Sequence, residues 1–62
     1  MTNSVLKELR EAQRLSQEKL AEIVGVNRST ISMIEIGINK PSVDLAKRLG
    51  AALRCDWPIF FD

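Results

Sequence analysis

Histidine is absent from this chain of 62 residues, and cysteine occurs once, at Cys55. The first absence excludes histidine general bases and His-ligated metals. The second excludes an internal disulfide and a thiolate zinc site, which takes several Cys or His ligands. A lone thiol, with no signal peptide legible, makes a reducing cytoplasm the expected compartment. No apolar run approaches the ~20 residues of a membrane span, so no membrane association is expected. Charge of one sign is also lacking, since nine Lys and Arg against eight Asp and Glu leave +1. A phosphate-binding surface would therefore have to be a local face of the molecule. A domain this short buries only about 60% of its unfolded surface, which leaves little room for an enclosed pocket. The chain is expected not to be an enzyme and to carry no cofactor, metal or small-molecule ligand. Dimerisation would be a natural source of added stability.

What is present is an ordinary globular balance, 45% hydrophobic and 27% charged, in one unit spanning 1–62 with no strand pattern, repeat or linker. Asn3 or Ser4 is suited to cap a first helix with Val5, Leu6, Leu9 and Ala12 on one side, and Glu11 and Arg14 form an i,i+3 pair on it. Ser16 reads as the cap of a second helix over 17–24, whose buried stripe is Leu20, Ala21 and Val24. Gly25 stands where a helix end favours a left-handed residue. Asn27 is a further preferred cap, and 28–35 reads as a third helix with Ile31 and Ile34 inward, stopped by Gly37. After a loop over 38–41, Ser42 caps a fourth helix in which Leu45, Leu49, Ala52 and Leu53 face the core. Gly50 within it costs about 1 kcal/mol relative to alanine, which a close helix contact would explain. Asp56 is placed to cap a last turn over 57–61, with Pro58 tolerated there.

The informative stretch is 17–37, two short helices joined by a tight glycine turn. Ala21 is small where the helices must cross, and Val26 plugs the corner. The outer face of the third helix carries Arg28, Ser29, Ser32 and Met33. A major groove about 12 Å wide admits one such helix. The segment LSQEKLAEIVGVNRSTISMIEIG resembles the phage repressor and Cro-type (XRE) helix-turn-helix family. The later NKPSVDLAKRLGAAL resembles that family's following loop and fourth helix. The resemblance extends over about 6–60 and implies an all-α, compact, five-helix lambda-repressor-like domain.

It also implies roles. Ser16 and Gln17 open the second helix where the family touches a backbone phosphate, and helix N-termini suit anions. Asn27, Arg28, Ser29 and Thr30 begin the segment 27–35 that reads the major groove. Arg28 is suited to bond bidentately to guanine O6 and N7. Ser32 and Met33 lie one turn on, where Met33 is suited to a thymine methyl or else to partial burial against Ile38 or a partner. Asn39 and Lys40 match loop positions that grip the backbone. Arg10 and Glu35 match a family pair that orients Arg10 beside a phosphate. Ile36 and Ile38 depart from the family, which often has Asn and a basic residue there, and Met33 stands where the family often has a polar one.

All three aromatics, Trp57, Phe60 and Phe61, lie near the end of the chain. With Ile59 they are expected at a dimer contact, Trp57 and Phe60 also serving partly as core, since aromatics enrich interfaces. Cys55 is expected to be a buried or half-buried small hydrophobe. The function expected is a sequence-specific, homodimeric transcriptional regulator, a repressor that binds a palindromic operator in double-stranded DNA. The alternative is a protein-interaction module, such as an antitoxin, an anti-repressor or a subunit of a larger complex. The near-neutral charge and the Met33, Ile36, Ile38 cluster favour that second reading.

Overall fold

Where each helix starts and stops is decided by a few backbone signals. The computed structural model describes residues 4–61, which are helical in four segments and a final 3₁₀ turn. These are α1 (Ser4–Ala12), α2 (Gln17–Val24), α3 (Arg28–Ile36), α4 (Val43–Leu53) and the 3₁₀ segment (Trp57–Phe61). Ser16 and Ser42 sit in extended conformation just before α2 and α4. Their Oγ atoms accept from the Lys19 amide at 3.0 Å and the Leu45 amide at 3.1 Å. Each bond satisfies a donor that the first helical turn leaves orphaned. Gly25 closes α2 at φ 77°, and Gly37 closes α3 at φ 89°. Both are in the left-handed region, where a Cβ is costly.

α1 is shorter than its pattern suggested. Its last residue is Ala12, and Arg14 turns the chain at φ 58° while its amide donates to the Glu11 carbonyl at 2.9 Å. Ala12, expected to face inward, is exposed, and half-buried Leu15 packs against the core from beyond the turn. Because Arg14 has left the helix, the expected Glu11–Arg14 pair does not form among the described residues. Asn3, a candidate cap, lies outside those residues.

The core is built from Leu6, Leu20, Ile31, Ile34, Leu49 and Leu53, all fully buried. Each contributes about 1.5–3 kcal/mol of burial relative to exposure. α2 packs on both α3 and α4, and α1 packs on α3 and on the 3₁₀ segment. An unanticipated contact ties α4 to α2. Arg48 Nη1 donates to the Val24 carbonyl at 2.9 Å, while Nη2 pairs with Asp44. A cation at the open carbonyls of a helix end complements its dipole.

The C-terminal turn returns onto α4, and this accounts for Gly50. A Cβ at that position would stand 2.8 Å from the Cys55 carbonyl oxygen and 3.2 Å from Trp57 Cβ. The turn is 3₁₀ rather than α. Asp56 begins it with its backbone carbonyl, which accepts from the Ile59 amide at 3.3 Å, and not with a side-chain cap. Phe60, expected to serve partly as core and partly at a dimer contact, lies in the core at 4% exposure. The final turn that carries it packs on both α1 and α4. Trp57 and Ile59 are half-buried and Phe61 is exposed. The Trp57 and Phe61 rings meet edge to face at 6.1 Å, an arrangement aromatic pairs favour. Cys55 is half-buried, and desolvation, aided by the Asp56 charge, pushes its thiol above the usual range.

Candidate nucleic-acid interface

α3 has two faces with opposite fates. The inner one carries Ile31, Ile34 and, unusually, a carboxylate: Glu35 is buried at 6% exposure. A buried charge is tolerated only when paired and hydrogen-bonded, and Glu35 is both. Arg10 Nε and Nη2 donate to its two oxygens at 2.7 and 3.2 Å, and Gln17 Nε2 donates to Oε1 at 3.1 Å. The remaining guanidinium nitrogen, Nη1, donates to the Leu15 carbonyl at 2.7 Å. The bond to Glu35 holds the Arg10 guanidinium above its ordinary pKa against the opposing effect of burial. No buried side-chain nitrogen or oxygen among the described residues is left without a partner. One carboxylate thus joins α1, α2 and α3 and fixes the angle at which α3 leaves the body.

This clamp withdraws two expected contact residues from the surface to different degrees. Arg10 is only 8% exposed. Gln17 is half-buried and its amide is engaged with Glu35. Ser16 is exposed, but its hydroxyl caps α2.

The outer face is open. Arg28, Ser29 and Met33 are exposed, and Thr30 and Ser32 are half-buried. Asn27 occupies the cap position in extended conformation, yet its side chain makes no capping bond. Only its carbonyl is used, accepting from the Thr30 amide at 3.0 Å. Asn39 and Lys40 follow in the exposed loop beyond Gly37. Neither Arg28 nor Lys40 enters an ion pair, since the pairs among the described residues are Arg10–Glu35 and Arg48–Asp44.

The structure joins these positions in a way that their spacing only hints at. A shallow groove runs along α3, lined by Arg28, Ser29, Ser32, Met33, Ile36 and Ile38. The signal was the series 28, 32, 36, with 29 and 33 beside it, which is one stripe of a helix. Asn39 Nδ2 donates to Met33 Sδ at 3.4 Å, tying the loop to the helix. Trp57, Ile59 and Phe61 are separate from this groove. The Lys47 ammonium lies 5.7 Å from the Trp57 ring, a cation–π distance. Among the described residues no cluster of three or more potential metal ligands occurs, and no helix is long and apolar enough to cross a membrane.

A helix-turn-helix family model matches residues 6–60. The chain is 39% identical over its full length to YqaF of Bacillus subtilis, described as an uncharacterized HTH-type transcriptional regulator, and covers 82% of that protein. Two solved structures share the fold. One is the restriction-modification controller protein C.AhdI from Aeromonas hydrophila, 38% identical with a TM-score of 0.81, the match covering 90% of this chain and 85% of that one. The other is SinR, the master regulator for biofilm formation, in complex with DNA. It is 28% identical with a TM-score of 0.88, and both chains are covered completely.

Proposed function

The chain belongs to the helix-turn-helix family of DNA-binding transcriptional regulators, and from that premise we propose that it is a sequence-specific, homodimeric repressor of the cytoplasm. The observation that carries this reading is the division of α3. Its inner face is locked by Ile31, Ile34 and the Arg10–Glu35 clamp, while its outer face presents Arg28, Ser29 and Met33 to solvent. In this reading Arg28 reads guanine through two parallel hydrogen bonds, and Ser29 and Ser32 reach neighbouring base edges. Asn27, with its side chain unused by the helix, and Thr30 meet the start of the site. Asn39 and Lys40 grip the phosphates, as does the α2 N-terminus at Ser16 and Gln17, where amides point outward. Arg10 acts as a positioning residue through Glu35.

Two copies would join through Trp57, Ile59 and Phe61, with Phe60 supporting that surface from within. Dimerisation placing two α3 helices about 34 Å apart matches one turn of DNA and implies a palindromic site. Repression follows from occupancy of a promoter. Selection of bound duplexes from a random pool tests this. An inverted repeat with half-site centres 10–10.5 base pairs apart is the expected product, and recovery of no common sequence overturns it. The exposed Ile36 and Ile38 favour a second reading, a protein-interaction module. That reading gains if no random duplex is bound even at low salt, because such regulators bind DNA non-specifically at about 10⁻⁴–10⁻⁶ M.

A further inference from the structure

The apolar end of the α3 groove stays open to solvent among the described residues. Met33, Ile36 and Ile38 are 40%, 55% and 67% exposed, yet they share one groove with Arg28 and Ser29. Resting on the DNA-binding reading above, we propose that this end of the groove reads the C5-methyl groups of thymines lying next to the base pairs that Arg28 contacts.

The argument is one of complementarity. On the base edges of the major groove the thymine methyl is the one apolar group that projects, set among hydrogen-bond donors and acceptors. A helix face docked in that groove with three aliphatic side chains can bury them against methyls. Pressed against phosphates, the same side chains would strip water from charges and return nothing. An apolar protein partner fits the rim less well. Arg28 stands on the same groove with no ion pair, and Lys40, two residues after Ile38 in the exposed loop, also enters none. A groove with an unpaired cation at one end and an apolar strip at the other suits a polyanion that carries methyl groups. Met33 is the adaptable element, since its unbranched thioether fills irregular gaps, and the Asn39 amide holds its sulfur in place.

The test uses the full chain and a duplex recovered by selection. Thymines are replaced one at a time by deoxyuridine, which removes the methyl and keeps the pairing. The expected result is a loss of about fourfold in affinity for each methyl seated in the groove, the worth of one buried methyl-sized group. Met33→Ala and Ile36→Ala should bind the thymine duplex more weakly and should lose sensitivity to uracil at the position each covers, a coupling that a double-mutant cycle reads. Thermal unfolding of both variants checks that they fold. If either does not, the uracil series on the parent protein decides alone. Unchanged affinity of the parent for every uracil duplex overturns the methyl reading and leaves DNA binding standing. Absence of binding to any duplex at low salt overturns both.

Discussion

The two faces of α3 differ in what the rest of the molecule asks of them. On the inner face Ile31 and Ile34 are fully buried, and both carboxylate oxygens of Glu35 accept hydrogen bonds from Arg10 or Gln17. On the outer face Arg28, Ser29 and Met33 are exposed, and just before the helix the Asn27 side chain makes no capping bond. Substitutions on one face should therefore act on the fold, and substitutions on the other on binding alone. Preferred capping residues without capping bonds, and cations without ion pairs, are what a surface looks like when the fold does not need it.

The comparison breaks most readily at Glu35. Glu35→Ala leaves Arg10 buried and unpaired, so it should cost about 3–5 kcal/mol. A domain of this size has roughly 3–9 kcal/mol in all, so chemical denaturation should find the variant largely or wholly unfolded. Replacing both partners, as Arg10→Met with Glu35→Leu, should recover most of the loss. A smaller effect is expected far from α3. Gly50→Ala brings a methyl to 2.8 Å from the Cys55 carbonyl. The overpacking cost of about 1–3 kcal/mol should exceed the ~1 kcal/mol gained in helix propensity. That variant should melt earlier, yet bind DNA as the parent does below its transition. Loss of binding in a still-folded protein would mean that the C-terminal turn contributes to the site.

The caps sharpen the contrast further. Ser16→Ala removes the bond to the Lys19 amide and should cost about 1 kcal/mol in thermal or denaturant unfolding. Asn27→Ala, in the same position one helix later, removes no side-chain bond and should change stability by a few tenths of a kcal/mol at most. It should still weaken DNA binding. The smallest effect concerns Cys55, where burial and Asp56 raise the thiol pKa. Because the folded value is raised, the protonated thiol's contribution to stability is fully present below the unfolded-chain pKa of about 8.5. It fades as pH climbs through the folded pKa. A thiol-specific reagent should accordingly react slowly at pH 7 and accelerate only on the alkaline side of that range.

Much of α2 and α3 was legible in the sequence because its signals are local. Ser16, Gly25, Ser42 and Gly37 each act on the turn in which they stand, and all four behave as their residue types imply. Less legible are the positions decided by distant parts of the chain. Ala12 fits the inward stripe of α1, but the helix stops there and Leu15 packs in from beyond the turn. Phe60 was expected to divide between core and interface, and the return of the chain onto α4 puts it in the core. Gly50 was expected to mark a close contact, but which atoms make it, those of Cys55 and Trp57, only the return of the chain decides. Arg48 reads as one surface charge among several until Val24 is seen beside it. At the site, Arg28, Ser29 and Met33 were evident from helical spacing. The depth to which Arg10 is buried, and the engagement of Gln17 with Glu35, depend on how three helices converge.

The most direct test of the division of α3 is Arg28→Ala, measured for unfolding and for affinity toward both a selected duplex and a random one. Arg28 is exposed and holds no ion pair, so the melting temperature should not move. Affinity for the selected duplex should fall by about 1–3 kcal/mol, roughly 5- to 150-fold, while random duplex changes far less. Unchanged affinity for the selected duplex in the folded variant would contradict the assignment of the outer face as the reading surface.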